Sequence, residues 1–162
     1  MPARQNTFGP IKGPIVGSYL PIAASQYFAF GGGAFGDLNS SGHYTIAETA
    51  DTALWGWALA PKSVTATAGL TYYLSSSTAG ADKLFVIHCV ETVFDMPTST
   101  ATMAASQVGE LCDLISTNGA TTPQYANVGT NSTDVLRVVG GDITLDIAHV
   151  VMNEATLQKD TA

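Results

Sequence analysis

The sequence predicts a compact all-β domain, a β-barrel or β-sandwich of short antiparallel strands, with an extended N-terminal arm and at most one short helix. Short runs rich in β-branched and aromatic residues recur from residue 23 onward, and segments rich in Gly, Asn, Asp and Ser separate them. The first 22 residues are instead rich in proline and glycine. A length of 162 residues suits one domain. We therefore assign residues 1–22 to the arm and residues 23–162 to a single β domain.

The predicted arm reads MPARQNTFGPIKGPIVGSYLPI. Proline interrupts helices and the hydrogen-bond ladders of sheets, so this segment is expected to be extended, with isolated apolar anchors. Such an arm gains stability only by lying on its own domain or on a neighbouring chain; the alternative is a disordered terminus. The predicted anchors, which are also the candidate contact residues, are Phe8, Ile11, Ile15, Val16 and Tyr19.

The clearest strand signal is KLFVIHCVETVF at Lys83–Phe94. Its apolar residues fall on both faces of a strand, which is typical of a central strand covered on both sides. A helix of one or two turns is the alternative to strand structure only within Thr100–Cys112, where Gly109 weakens the helical pattern. The other predicted strands are Gln26–Phe30, His43–Ala47, Ala53–Ala60, Thr71–Ser75, Gly109–Ile115, Val135–Val139 and His149–Asn153.

Charged residues make up only 12% of the chain, and the net charge is −7. A surface with so few charges favours burial against partner chains, although a β protein with a hydroxyl-rich surface is also consistent with it. The six basic residues are scattered, so nucleic acid and anionic membranes are not expected as direct partners. The N-terminus lacks the apolar region of a signal peptide. We therefore expect synthesis in the cytoplasm, with Cys89 and Cys112 both free and buried.

The stretch FGGGAFGDLNSSG at residues 30–42 contains the spacing G-x-G-x-x-G, at Gly31, Gly33 and Gly36. A dinucleotide loop must follow a strand and open a helix, because the pyrophosphate binds the free N–H groups of the first helical turn. Here a second turn and a β-like segment follow instead. The glycines are interpreted as a bulge or a close approach between backbones.

No catalytic residue, metal ligand or cofactor is predicted. The three histidines are far apart in sequence, no G-x-S-x-G motif is present, and neither cysteine lies in an activating context. Carboxylate pairs such as Asp142 with Asp146 could be judged only in three dimensions. Trp55 and Trp57 share one face of a predicted strand, where they form either part of the core or a platform for a sugar ring.

Two regions resemble a known family. Residues 26–60 read QYFAFGGGAFGDLNSSGHYTIAETADTALWGWALA, and residues 93–115 read VFDMPTSTATMAASQVGELCDLI. The segments DVLRVVGGD at 134–142 and HVVMNEATLQ at 149–158 continue the pattern. In order and composition, residues 23–158 resemble the small β-barrel or β-sandwich head-decoration (capsid cement) proteins of tailed bacteriophages.

The resemblance implies a viral structural protein without enzymatic activity. It implies localisation on the outer surface of the virion head, binding to the major capsid protein, and self-association, commonly as a homotrimer. In many of these proteins a terminal arm lies along the shell or a neighbouring subunit, as the arm residues predicted above would allow. Two alternatives stay open: another virion subunit (tail tube, connector or fibre tip), and a carbohydrate-binding module built on Trp55 and Trp57.

Overall fold

Strand pairing in a computed structural model of the chain gives two large sheets and one small ribbon. The structure describes residues 8–29, 33–61, 72–98, 102–116 and 124–157. The strands in these ranges are β1 (Gly9–Lys12), β2 (Gly17–Pro21), β3 (Tyr27–Ala29), β4 (Ala34–Leu38), β5 (Tyr44–Ile46), β6 (Gly56–Leu59), β7 (Tyr72–Leu74), β8 (Lys83–Ile87), β9 (Val93–Pro97), β10 (Leu111–Ile115), β11 (Tyr125–Asn127), β12 (Leu136–Asp142) and β13 (Ile147–Met152).

The strands form a six-stranded sheet in the order β1-β9-β13-β12-β10-β11, a five-stranded sheet in the order β2-β8-β6-β4-β5, and a ribbon of β3 and β7. All pairs of these strands are antiparallel. The six-stranded sheet curls, because a bridge between Thr98 and Ala126 joins the end of β9 to β11. The predicted all-β class is confirmed.

The main core lies between the two large sheets. Phe35, Trp57 and Ile87 of the five-stranded sheet belong to the same buried cluster as Phe94 and Val150 of the six-stranded sheet. Phe35 makes edge-to-face contacts with Trp57 and Phe94, with ring centroids 4.8 and 4.9 Å apart. Burial of these large rings supplies much of the apolar contact that holds the sheets together.

A second core lies on the other face of the five-stranded sheet. Alternate residues of its strands, including Ala34, Ala58 and Val86, point to this side. Phe28 of the β3–β7 ribbon is fully buried there, with Tyr73 packing beside it at a ring distance of 5.8 Å. The central strands of this sheet are therefore covered on both faces.

From residue 8 onward the N-terminal segment is extended, and its two strands lie at sheet edges. β1 pairs with β9 and β2 pairs with β8. Between them, the amide of His88 donates to the Val16 carbonyl at 3.0 Å, and the Thr92 hydroxyl donates to the Pro14 carbonyl at 2.5 Å. One antiparallel ribbon thus runs across the corner from one sheet to the other, so the segment is fastened along both sheets.

The prediction of one strand over Lys83–Phe94 is wrong. β8 ends at Ile87, a turn follows in which the Thr92 amide donates to the Cys89 carbonyl, and β9 starts at Val93 in the other sheet. Apolar residues on both faces predicted one buried strand. They arise instead because β8 belongs to the five-stranded sheet and β9 to the six-stranded sheet. The turn has no glycine or proline to mark it.

Other element boundaries also differ from the predictions. Within Thr100–Cys112 the described residues contain only a 3₁₀ turn at Ala105–Gln107, and β10 begins at Leu111. β4 and β11 were not predicted. Sequence reasoning interpreted the glycines around β4 as a bulge or a close backbone approach, and it gave no assignment to residues 125–127, which lie between two segments of loop composition.

The corner opposite the N-terminal ribbon is closed by buried polar side chains. The Gln124 Oε1 accepts from the Phe35 amide at 2.6 Å, and its Nε2 donates to the carbonyls of Phe35 and Ala47 at 2.9 and 3.3 Å and to the Ser116 hydroxyl at 3.0 Å. Thr49 donates through its amide and hydroxyl to the Ser116 carbonyl. These bonds tie the five-stranded sheet to residues that flank β10 and β11.

Asp113 holds the loop that precedes β12. Its carboxylate accepts from the amides of Ser132, Thr133 and Asp134 at 2.9, 2.7 and 3.0 Å, and from the Thr133 hydroxyl at 3.0 Å. Asp134 adopts a left-handed backbone conformation with φ 57°. The charge-assisted bonds stabilise this unfavourable conformation at the start of the strand.

This arrangement predicts a pH dependence of stability. Burial acts to raise the pKa of Asp113, but the hydrogen bonds outweigh it and lower the pKa from 3.8 to about 2. Because the folded-state pKa is the lower one, the carboxylate stabilises the fold fully above about pH 5, and this contribution is lost as the pH falls through about 2. The shift corresponds to about 2 kcal/mol.

We expect Asp113→Asn to lower the free energy of unfolding at pH 7 by about 2 kcal/mol. The variant should also lose less stability than the wild-type chain between about pH 5 and pH 2. Urea titrations at several pH values measure both effects. Parallel stability curves for the two proteins would contradict this role of Asp113.

Candidate interaction surface

An exposed apolar strip runs along the N-terminal segment. Four of the five predicted anchors form it: Ile11, Ile15, Val16 and Tyr19 are 49%, 54%, 51% and 71% exposed. The fifth, Phe8, is half-buried at the start of the segment. Several large apolar side chains exposed along one segment favour a surface that binds other molecules. The strip is therefore the candidate site, and its residues are among those that the sequence proposed as contacts.

The position of the strip is fixed by the ribbon beneath it. A Cβ on Gly13, whose φ is +96°, would overlap the Glu91 carbonyl oxygen, and one on Gly17 would overlap that of Val86. These glycines allow β1 and β2 to lie directly against the β8–β9 corner. Tyr19 packs edge-on against Phe85 with ring centroids 5.4 Å apart. The strip is thus held in a defined conformation before any partner binds.

Exposed apolar side chains also occur outside the strip. Ile143 and Leu145 are 56% and 49% exposed at the turn between β12 and β13, where the Asp142 carboxylate accepts from the amides of Thr144 and Leu145 at 2.9 and 3.0 Å. This turn carries two large exposed apolar side chains and lies away from the strip, so Ile143 is a suitable control position.

The glycine-rich stretch has a structural role. Gly33 and Gly36 lie where a Cβ would overlap the carbonyl oxygens of Ala58 and Thr45. Gly31 lies outside the described residues. The chain after Gly33 continues as β4, a strand, and not as the helix that a dinucleotide site needs. The interpretation as a close backbone approach agrees with this geometry.

The two tryptophans do not form a platform. Trp57 is 2% exposed and packs in the core between the sheets, whereas Trp55 is half-buried and packs against the second core. The prediction that they share one face is therefore wrong, because Trp55 precedes β6 and does not follow its alternation. A sugar ring could not stack on both.

The ionisable groups do not assemble into a metal centre. Among the described residues, no three His, Cys, Asp or Glu side chains are placed to hold a metal ion together. Cys112 is buried, which raises the pKa of its thiol to about 12. Cys89 is only half-buried, so the expectation that both thiols are buried is wrong for it.

Sequence reasoning missed one polar pair, His149 and Asp95, because the two residues come from neighbouring strands. Their Nε2 and Oδ1 atoms are 3.2 Å apart. Burial raises the pKa of Asp95, and the nearby imidazole acts in the opposite direction. The residues directly across from the pair are Gly9 and Gly140, so no cross-strand neighbour supplies a nucleophile. The pair lies where β9 and β13 face each other in the six-stranded sheet.

In the described part of the chain, no helix has the length and apolar character needed to cross a membrane. In comparisons with known proteins, no family model, no curated protein and no solved structure matches the chain.

Proposed function

We propose that this chain is a capsid decoration (cement) protein of a tailed bacteriophage. In this role it binds the outer surface of the virion head and stabilises the shell by bridging major capsid protein subunits, without enzymatic activity or a cofactor. The observation that carries the proposal is the apolar strip of Ile11, Ile15, Val16 and Tyr19, which lies exposed along the edge of both sheets.

The physical properties of the strip support a protein partner. Each of its side chains is about half exposed or more, and burying the exposed part of an aliphatic or aromatic side chain of this size stabilises a complex by about 1–2 kcal/mol. Because the β8–β9 corner holds the strip in place, little conformational entropy is lost on binding. A preformed apolar edge of this kind suits attachment to a fixed protein surface.

The charge pattern supports a protein partner of this class as well. Only 12% of residues are charged, and the net charge is −7. An acidic surface does not attract nucleic acid. A shell presents the same site many times, so a modest affinity per site is multiplied when the decoration protein is itself a trimer, as we propose by analogy with the resembled family.

The proposal is tested with expanded phage heads that lack their decoration protein. We expect the purified chain to bind these heads and to raise their temperature of disruption. Replacing Ile11 by aspartate should weaken binding by about tenfold or more, because a buried apolar contact is replaced by a charge. Co-sedimentation and differential scanning calorimetry of the heads measure the two effects.

A matched control is Ile143→Asp, which places the same charge on an equally exposed isoleucine away from the strip. It should bind heads as the wild-type chain does. Equal loss in both variants, or heads whose binding and thermal stability do not respond to the chain, would refute the proposal. Label on the tail of imaged virions instead of the head would favour the alternative of another virion subunit.

A further inference from the structure

The two large sheets have four edges, and two of them are closed by hydrogen bonds. At the β5 edge, the Tyr44 carbonyl accepts from the Ala23 amide at 2.9 Å, and the Ile46 amide donates to the Gln26 side chain at 2.8 Å. At the β11 edge, Ala126 forms a bridge with Thr98. Neither edge offers its backbone to another strand.

The β1 edge is protected in another way. Pro10 has no N–H group to donate, and the register with β9 shifts between Pro10 and Lys12. Lys12 itself is exposed. Proline, irregular pairing and an exposed lysine are the features by which natural proteins prevent pairing between edges.

The β2 edge ends at Pro21. Before this residue the strand has no proline, no charged side chain and no shift in its register with β8. Val16 accepts from His88 and Ile22 donates to Asp82, so by alternation Ser18 and Leu20 also bond inward to β8. The backbone groups of Gly17 and Tyr19 therefore point away from the sheet. Among the described residues, neither one makes a further backbone hydrogen bond.

This edge is also uncharged in an acidic protein. From Gly13 to Gly36 the sequence contains no Asp, Glu, Lys or Arg, although the chain carries a net charge of −7. At β2 two copies can meet without a like-charge contact, which favours a second copy as the occupant of this edge.

We propose that β2 pairs antiparallel with β2 of a second copy across a two-fold axis at Ser18. In this register Gly17 lies opposite Tyr19 of the partner subunit, and each such pair is closed by two backbone hydrogen bonds. The two five-stranded sheets then form one continuous sheet. The interface is isologous, so it closes at two copies.

The side chains fit this register. Tyr19 is 71% exposed, and in the pair its ring lies over Gly17 of the partner subunit, where no side chain obstructs it. The contact between Tyr19 and Phe85, at 5.4 Å, extends the aromatic row on each side. Ile15, 54% exposed, comes near Pro21 of the partner subunit.

The size of the contact predicts its strength. A strand edge over residues 13–21 is about 30 Å long at roughly 3.3 Å per residue. Such a short contact belongs with the weak, transient interfaces, which bury less than about 1,200 Å² in total. We therefore expect a dimer whose dissociation constant is in the micromolar range.

This pairing does not depend on the proposed function. It assigns Tyr19 to the contact between copies and leaves Ile11 for the shell. On a head carrying trimers, it would connect neighbouring trimers at two-fold positions.

Analytical ultracentrifugation of the full chain from about 1 µM to 1 mM tests the pairing. We expect reversible association in pairs, which gives a dimer of single chains or of trimers. Ser18→Lys places two ammonium groups opposite each other at the axis and should raise the dissociation constant about tenfold or more. Ser18→Thr, which keeps a small hydroxyl side chain in a strand, should leave it within about threefold. Because Ser18 is exposed, circular dichroism should show both variants folded.

Cross-linking tests the register. In a Cys89→Ser background, Ser18→Cys should form a covalent dimer on mild oxidation, since residues at a two-fold axis face each other closely. Ser41→Cys, at an exposed turn, is the matched control and should cross-link much more slowly. A monomer throughout the concentration range, an oligomer unaffected by Ser18→Lys, a trimer that needs this edge, or equal cross-linking at both positions would overturn the proposal.

Discussion

Replacing Gln124 by leucine is expected to lower the free energy of unfolding by about 3–5 kcal/mol. Leucine preserves the volume of the side chain but removes every bond that the amide makes. The Phe35 amide, the carbonyls of Phe35 and Ala47, and the Ser116 hydroxyl would all lose a partner in the interior. A buried polar group left without a partner costs about 1–3 kcal/mol. Urea denaturation at pH 7 measures the loss.

Gln107→Leu is the matched control for this experiment. The Gln107 side chain accepts from the Ala104 amide at 2.7 Å in the 3₁₀ turn, where solvent can replace the bond. We expect it to cost about 1 kcal/mol or less. Similar losses in the two variants would show that the Gln124 bonds do not fasten the sheets together.

Gly36→Ala is expected to destabilise the fold by about 3 kcal/mol or more. The added methyl group would overlap the Thr45 carbonyl and the buried ring of Tyr44, and neither can move away. The Tyr44 hydroxyl donates to the Ala34 carbonyl at 2.6 Å and accepts from the Ala58 amide at 3.2 Å, which fixes the ring in place. Overpacking a rigid core costs about 1–3 kcal/mol, and breaking these bonds adds to it.

Gly42→Ala separates this packing effect from backbone conformation. Gly42 has φ +74°, but a Cβ there would meet nothing within 4 Å. Its substitution should cost only about 1–2 kcal/mol, the strain of a left-handed conformation. Melting temperatures of the two variants, compared by circular dichroism, measure the difference. Equal losses would contradict the packing role of Gly36, because Gly36 lies in β4 without a left-handed φ.

The class of the fold could be predicted from the sequence because strand composition and turn composition are local signals. The division of Lys83–Phe94 between two sheets could not. Its turn is stabilised by the N-terminal segment, through a bond from Thr92 to Pro14 that spans 78 residues. A contact between residues so far apart in the sequence cannot be predicted from the residues that neighbour the turn.

The candidate surface was predictable in composition and not in geometry. Apolar residues in a proline-rich segment indicate anchors, and four of the five are exposed. The register that fixes this row against β8 and β9 depends on backbone approaches at Gly13 and Gly17, which only the folded chain displays. The role of Gln124 could not be predicted either. Its backbone partners, Phe35 and Ala47, lie 89 and 77 residues away in the sequence, and only Ser116 is near, at 8 residues.

The proposed shell contact uses the exposed strip, and the proposed pairing between copies uses the β2 edge. The strip is held in a fixed conformation, and no charged residue occurs from Gly13 to Gly36. Different variants test the two contacts, because Ile11 lies outside the proposed pairing whereas Ser18 lies at its axis.

A cryo-electron microscopy reconstruction of the native phage particle tests the central claim most directly. We expect density for this β-sandwich on the outer surface of the head, with the segment from Phe8 to Tyr19 against the major capsid protein or a neighbouring copy. Density for the chain only in the tail or connector, or a head surface that lacks it, would contradict the proposed function.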